Sequence, residues 1–148
     1  MFNPKNILVP TDFSSNSEKA FQVAIDIAKQ AKASITLLHV INVFQQYATD
    51  YYFDIEALKK LENGATTVSK DILKKMIDKF PETKNITVKF DVKNGDPYQE
   101  ILNEQDSKKI DLIVIASHTG NTFLHHLLGS MTEKITRLAK CSVLVVKN

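Results

Sequence analysis

The fold is decided by residues 112–146, LIVIASHTGNTFLHHLLGSMTEKITRLAKCSVLVV, in which two short apolar runs flank a loop and a segment with helical spacing. The runs Leu112–Ala116 and Ser142–Val146 are almost continuously apolar, as is typical of parallel strands that are covered on both faces. Between them, Ile135 and Leu138 have the spacing of one helix face directed toward a core. This stretch therefore predicts a strand, a helix and a second strand.

The same alternation runs through the rest of the chain. Three further apolar runs rich in β-forming residues, Asn6–Val9, Ser34–Val40 and Ile86–Val92, are separated by longer segments with helical periodicity. Such an order predicts an α/β fold: a three-layer, doubly wound, Rossmann-like parallel sheet of five strands with four helices on its two faces. Because no internal repeat or interdomain linker is visible, we predict a single domain over residues 1–148.

Helix start signals support this order. Ser15-Asn16-Ser17-Glu18 and Ser130-Met131-Thr132-Glu133 have the pattern of a capping box. Asp96-Pro97 places an acidic cap before a proline at the first helical position. A long helix is predicted from about Ile55 to Phe80, where the following proline stops it.

Composition excludes several classes of function. The chain is 43% apolar and 24% charged, which is typical of a globular protein and not of a disordered one. Its 19 basic and 17 acidic residues are scattered without a basic stripe, so neither a nucleic acid nor a membrane surface is predicted as a partner. A single cysteine, Cys141, and an opening without the pattern of a secretory signal predict a cytoplasmic protein.

No motif of a conventional catalytic centre is present. The sequence lacks Gly-x4-Gly-Lys-(Ser/Thr), HExxH, CxxC and GxSxG. Adjacent His125 and His126 would diverge on a helix and chelate a metal poorly, so no metal site is predicted. Because no lysine or arginine lies between Ile110 and Lys134, charge developing in phosphoryl transfer would find few fixed cations. We predict that the protein is not an enzyme, or at most a very weak ATPase.

A ligand of an open parallel sheet binds beyond the carboxyl ends of the strands, where the strand order reverses. Pro10-Thr11-Asp12 leaves the first strand there, and Ala116–Gly120 leaves the fourth. Gly129-Ser130 then opens a helix whose free N–H groups, at the positive end of the helix dipole, suit a phosphate. The hydroxyls of Ser130 and Thr132 could add donors. A tight turn with a helix cap would produce the same pattern, so both interpretations stay open.

The chain resembles the universal stress protein family, of the UspA type, over nearly its whole length. KNILVPTDFS (5–14), GDPYQEIL (95–102) and the closing ASHTGNTFLHHLLGSMTEKITRLAKCSVLVV (116–146) stand in the family's order and spacing. The resemblance implies a five-stranded parallel sheet of order 3-2-1-4-5, similar to the adenine nucleotide α-hydrolase fold. It also implies a homodimer that pairs through the last strand, Cys141 to Val146, whose apolar edge would otherwise lack a cover.

Family members that bind ATP carry Gly-x2-Gly-x9-Gly-(Ser/Thr). In this chain the three glycine positions hold Ala116, Thr119 and Gly129, and Gly120 stands one position late. A Cβ at the first two positions would crowd the backbone approach that phosphates need. The resemblance implies a nucleotide site formed by Pro10, Thr11, Asp12, Val40, Ala116, Ser117, Thr119, Gly120, Gly129, Ser130, Met131 and Thr132.

Two functions remain open from the sequence. The first is a stress-response regulatory module that binds ATP or another adenine nucleotide without efficient hydrolysis. In that hypothesis Val40 flanks the adenine and ribose, and Asp12 holds the ribose hydroxyls or a phosphate-bound Mg²⁺ through water. The second is a dimeric interaction protein of the same fold that binds no nucleotide, which Ala116 and Thr119 favour. Receiver domains and flavodoxins share the topology, but Pro10–Ser15 has neither the acidic pair nor the glycine-rich loop that they need.

Overall fold

Within residues 1–44, 54–117 and 130–147, which the computed structural model describes, strands alternate with helices. The strands are β1 (Asn6–Pro10), β2 (Ser34–Ile41), β3 (Thr87–Asn94), β4 (Leu112–Ala116) and β5 (Ser142–Val146). The α-helices are α1 (Ser15–Ala31), α2 (Ile55–Asp78), α3 (Pro97–Ser107) and α4 (Ser130–Leu138), and a short 3-10 helix spans Pro81–Asn85. None of the helices in these ranges is long and apolar enough to cross a membrane.

The strands form one parallel sheet in the order β3-β2-β1-β4-β5. Phe21 of α1 and Leu73 of α2 belong to the core on one face, whereas Ile101 of α3 and Ile135 of α4 belong to the core on the other. The predicted three-layer doubly wound fold is therefore confirmed, together with its strand order. The order reverses between β1 and β4, which places the switch point at the carboxyl ends of these two central strands.

The strands differ in how far they are covered. All five residues of β4 are buried, as its apolar sequence predicts. The same prediction is wrong for β5, where Leu144 is 37% exposed and Val143, Val145 and Val146 are only half-buried. The reason is position: within the described sheet β5 pairs with β4 alone, so one of its edges is open.

The helix caps agree with the sequence to within one residue. The Ser14 hydroxyl accepts a hydrogen bond from the Ser17 N–H at 3.2 Å and so caps α1, one residue before the predicted Ser15. Asp96 caps α3 and Pro97 occupies its first turn, as predicted. The predicted cap of α4 is not tested, because the residue that precedes Ser130 and the Ser130 side chain lie outside the described residues.

A network of four charged side chains holds α3 against the sheet. The Glu104 carboxylate is 3% exposed and lies 3.1 Å from Lys108 Nζ and 3.6 Å from Lys93 Nζ. Asp91 of β3 lies 3.4 Å from Lys93 Nζ and 3.5 Å from Lys108 Nζ. The Asp91 carboxylate, helped by Glu104, raises the pKa of Lys93 above its ordinary value, which keeps this lysine charged beside α3.

A buried glutamine joins α3 to the start of β5. Gln105 is 4% exposed, and its Oε1 accepts hydrogen bonds from the Lys140 N–H at 2.9 Å and from Cys141 Sγ at 3.4 Å. Burial raises the pKa of the Cys141 thiol, which favours the neutral form that donates this bond. Cys141 therefore has a structural role here, as a small side chain beside the core.

Candidate functional site

A cavity of about 120 Å³ opens at the switch point, beyond the carboxyl ends of β1, β2 and β4. The described residues that line it are Pro10, Thr11, Asp12, Ser17, Leu38, His39, Val40, Pro97, Ile101, Ile115, Ala116 and Met131. Most of these residues are apolar, and three of the four polar ones belong to the turn between β1 and α1 or to the first turn of α1. A mostly apolar hollow with a few convergent polar groups is the usual form of a small-molecule site.

Two facing walls make the apolar part of the cavity. Leu38 and Val40 are two residues apart on β2 and so point to the same face of the sheet. Pro97 and Ile101 are one turn apart on α3 and present the opposite wall. Met131, on the first turn of α4, borders the same space. The arrangement can hold a flat apolar ring between strand and helix.

Thr11 organises the polar end of the cavity. Its N–H donates to the Leu38 carbonyl at 2.8 Å, which continues the sheet pairing by one residue. Its buried hydroxyl accepts from the Phe13 N–H at 3.0 Å and lies 2.8 Å from the Ser17 hydroxyl. Asp12 follows at the exposed rim, where its Oδ1 accepts from the Ser14 N–H at 3.0 Å. These bonds fix the turn that leads into α1.

Replacing Thr11 by valine should lower the free energy of unfolding by about 1–3 kcal/mol, because the Phe13 N–H and the Ser17 hydroxyl lose a buried partner. Urea denaturation measures the change. The matched control is Thr67→Val on α2, where an exposed hydroxyl donates to the Asn63 carbonyl at 2.9 Å. That variant should stay within about 0.5 kcal/mol of the unmodified protein. Equal losses in the two variants would contradict the role given to Thr11.

The first turn of α4 lies over the end of β4. The Thr132 hydroxyl is buried and donates to the Ala116 carbonyl at 3.5 Å. The Ser117 N–H donates to the Val146 carbonyl at 2.9 Å, but the Ser117 hydroxyl, in a residue 1% exposed, has no hydrogen-bond partner in the part of the chain that is described. A buried hydroxyl without a partner is uncommon and often marks a ligand or water position.

The sequence of this chain matches a known protein family over nearly its whole length. The model of the universal stress protein family matches residues 3–147. The chain belongs to the universal stress protein family. Universal stress protein YxiE of Bacillus subtilis is 30% identical over an alignment of 151 residues, gaps included. The alignment covers 99% of this chain and 100% of YxiE. Among solved structures, the universal stress protein UspA from Lactobacillus plantarum is 26% identical, with a TM-score of 0.79 and 99% of each chain covered.

Two more distant structures of the family carry nucleotides. A universal stress protein in complex with cAMP has a TM-score of 0.72 and 22% identity, covering 99% of this chain and 98% of that one. A universal stress protein family protein from Arabidopsis thaliana with AMP bound has a TM-score of 0.62 and 17% identity, with 98% and 92% covered. At these identities the likeness shows the fold alone.

The structure of this universal stress protein brings together half of the residues predicted for a nucleotide site. Pro10, Thr11, Asp12, Val40, Ala116 and Met131 line the cavity. Ser117 and Thr132 directly follow Ala116 and Met131 in the sequence. Both are buried, but they do not line the cavity. Thr119, Gly120 and Gly129 lie outside the described residues, and of Ser130 only its place in α4 is described.

Other lining residues were not among those predicted, namely Ser17, Leu38, His39, Pro97, Ile101 and Ile115. Strand periodicity offered a signal for one of them, since Leu38 must share a face with Val40. Helix periodicity offered another, because Pro97 and Ile101 are four residues apart behind a recognisable cap. Neither signal shows that α3 lies opposite the end of β2.

The described residues around the cavity offer little to a metal ion by themselves. Asp12 is the one carboxylate among the described residues that line the cavity, and the described residues contain no group of three or more His, Cys, Asp or Glu side chains placed to hold a metal ion. Mg²⁺ prefers octahedral oxygen ligands and often takes several of them from phosphates and water. The residues present therefore fit a Mg²⁺ that arrives with a nucleotide.

Proposed function

We propose that this universal stress protein binds an adenine nucleotide in the cavity between β2 and α3, and that nucleotide occupancy is its regulatory signal in the stress response. The observation that carries the proposal is the apolar slot at the switch point, which opens beside the first turn of α4. Such a slot suits the base, and the free N–H groups of a helix start suit the phosphates.

The proposed ligand occupies the site in three parts. The adenine lies between Val40 and the α3 wall, the ribose lies at Thr11 and Asp12, and the phosphates extend toward the start of α4. The predicted residues Thr119, Gly120, Gly129 and Ser130 belong to this third part. The buried Ser117 hydroxyl, which has no hydrogen-bond partner among the described residues, supports a polar ligand near the end of β4.

Ala116 is compatible with this arrangement. It is the last residue of β4, and it is not among the described non-glycine residues with positive φ, which are Phe13, Lys32 and Lys109. The backbone at Ala116 therefore does not need the conformational freedom of glycine. This observation removes the conformational objection to nucleotide binding at this position, and the titration below tests whether the Cβ crowds the phosphates.

Relatives support the choice of ligand. The two structures described above contain cAMP and AMP, and both molecules consist of adenine, ribose and phosphate. ATP, with Mg²⁺ held by its phosphates, would present the same adenosine group to the cavity.

The proposed site lacks what efficient hydrolysis requires. The described residues that line the cavity include no lysine or arginine, and the sequence has none between Ile110 and Lys134. Without fixed cations, the charge that develops on a transferring phosphoryl group would be poorly stabilised. We therefore propose a binding module and not an ATPase, acting in the cytoplasm as a single domain.

Isothermal titration calorimetry with ATP and Mg²⁺ tests the proposal. We expect saturable binding of one nucleotide per chain, with GTP binding more weakly because an apolar slot leaves the carbonyl and amino groups of guanine without partners. Absence of saturable heat for ATP, AMP and cAMP up to millimolar concentration would overturn the proposal and leave the nucleotide-free interaction protein. Purified protein that carries adenine nucleotide through gel filtration would support it independently.

We further propose that β5 forms a homodimer interface, through residues Cys141 to Val146. It is the edge strand on one side of the described sheet, and its apolar side chains are half-buried or exposed. An uncovered apolar edge is prone to pair with another chain, and a second copy of β5 offers a self-complementary cover.

Leu144→Lys should convert the dimer to a monomer, because a lysine on an edge strand opposes pairing between edges. Light scattering at micromolar concentration should give about twice the chain mass of 16.7 kDa for the unmodified protein and one chain mass for the variant. Thr87→Lys, an exposed position on the opposite edge strand β3, is the control and should remain dimeric. A strictly monomeric unmodified protein would contradict the interface.

A further inference from the structure

One side of α2 carries a line of exposed apolar residues. Leu61 is 41% exposed, Val68 is 59% exposed and Ile72 is 38% exposed. Together with the exposed Ala57 and Gly64 they have the spacing i, i+4, i+7, i+11 and i+15, which places all five along one side of the helix. These five residues form the α2 stripe.

The core of the chain does not use this stripe. The buried residues of α2 are Ser69, Leu73 and Met76, which lie on another face and in the second half of the helix. Single exposed apolar side chains are ordinary, whereas aligned ones mark an interaction surface. Gly64 lies in the middle of the stripe, and a Cβ built there would meet no described atom within 4 Å. A second helix could therefore approach the backbone of α2 closely at this point.

Two charged side chains beside the stripe indicate what covers it. Lys60 and Asp71 directly precede Leu61 and Ile72 of the stripe, so both lie on the same flank of α2. Both are exposed, and neither side chain has a hydrogen bond or an ion pair with another described residue. They are too far apart to pair within one chain, since eleven residues of helix span about 17 Å.

An antiparallel copy of α2 would match the apolar residues of the stripe. With a two-fold axis beside Gly64, Leu61 comes across from Val68 of the partner subunit. Ala57 comes across from Ile72 of the partner subunit in the same way. Larger and smaller side chains then alternate along the contact, and the glycine at its centre lets the two helices approach.

The same pairing would match the charges. Because both charged residues lie on one flank, an antiparallel copy brings Lys60 within about 3 Å, measured along the helix axis, of the level of Asp71 of the partner subunit. The two-fold axis repeats this contact, so one pairing contains two ion pairs between chains. The surface is thus self-complementary in both shape and charge.

We propose that the α2 stripe binds a second copy of this chain, in an antiparallel pairing of α2 with itself. A stripe of five residues is much smaller than the roughly 20–30 residues a side of a stable interface, so the contact is weak. It joins β5 dimers to one another at high concentration, and it is independent of nucleotide binding.

Sedimentation equilibrium of the Leu144→Lys variant, in which the β5 contact is removed, tests the proposal. We expect one chain mass at about 10 µM and a rise toward two chain masses at about 1 mM, as a Kd of a few hundred µM implies. If the β5 contact survives in this variant, the rise starts from two chain masses. Adding Val68→Lys should abolish the rise, because a lysine would be buried in the contact. Ile55→Lys, at a 73% exposed position of α2 outside the stripe, is the matched control and should keep the rise.

Charge reversal shows whether the pairing is the antiparallel one. In the Leu144→Lys protein, Lys60→Asp should weaken the association about five- to tenfold, since like charges then face each other twice. Adding Asp71→Lys should restore it, because each reversed charge again meets its opposite. Such a rescue can arise only between chains. Thermal unfolding of each variant checks that it is folded.

Three results would overturn the proposal. The first is a mass that stays constant up to about 1 mM, which would leave the stripe to a partner of another kind. The second is an association that Val68→Lys does not change. The third is a double reversal at residues 60 and 71 that associates no better than Lys60→Asp alone.

Discussion

Val40→Glu is expected to lower the affinity for ATP by more than about 100-fold, or about 2.7 kcal/mol, while the protein stays folded. Val40 is half-buried at the end of β2 and forms part of the apolar wall on which the adenine is proposed to lie. A carboxylate there would lose its hydration against the base and repel an anionic ligand, and an uncompensated buried charge costs several kcal/mol. Calorimetric titration measures the loss.

Val92→Glu is the matched control for this variant. Val92 is also half-buried, on the neighbouring strand β3, and it packs on the core around α1 and α2 without lining the cavity. We expect it to bind ATP as the unmodified protein does, although both variants pay a similar cost in stability. A folded Val40→Glu protein with unchanged affinity would place the nucleotide elsewhere.

Phe21→Ala should produce the largest loss of stability, about 3–5 kcal/mol in the free energy of unfolding. Phe21 is 0% exposed on α1 and packs edge-to-face against Phe80, with ring centroids 5.3 Å apart and an interplanar angle of 90°. Truncation leaves a cavity in the core that holds α1 to the sheet. Since small proteins are stable by only about 5–15 kcal/mol, the variant should unfold at much lower urea concentration.

Phe2→Ala provides the control, because Phe2 is 61% exposed. Its free energy of unfolding should remain within about 0.5 kcal/mol of the unmodified value. A Phe21→Ala loss below about 1.5 kcal/mol would show that the site collapses around the smaller side chain, against the tight packing described.

Strand positions were predictable where the apolar run in the sequence is continuous. The bounds of β4 and β5 match their apolar runs, whereas β1 and β2 are one residue longer than predicted and β3 begins one residue later and ends two later. The exposure of Leu144 was not predictable from its run, because being at an edge depends on strand order and not on local sequence. The order itself came from resemblance to the family.

Helix faces were predictable only in part. Along α2, Leu73 and Met76 are buried as a core face requires, yet Leu61 is 41% exposed and Val68 is 59% exposed. Periodicity shows which face of a helix is apolar, but it does not show how much of a 24-residue helix lies over the sheet. In this helix the buried residues all lie in the second half.

The candidate site shows the same division. Thr11, Asp12 and Met131 could be predicted as site residues because strand ends and helix starts have sequence signals. Ile101 and Ile115 were not, since their place in the cavity depends on how α3 crosses the sheet. The hydrogen bond between His39 Nδ1 and the Thr11 carbonyl could not be predicted from the sequence either, because the two residues are 28 positions apart.

The most direct test of the proposed site is an NMR titration with ATP and Mg²⁺ on protein labelled at its methionine methyl groups. The chain has three methionines: Met131 lines the cavity, Met76 is buried in the opposite core and Met1 is exposed. The account predicts that the Met131 methyl signal shifts and saturates with ATP, that Met76 moves less and that Met1 stays in place. Saturable ATP binding that leaves the Met131 signal unmoved would contradict it.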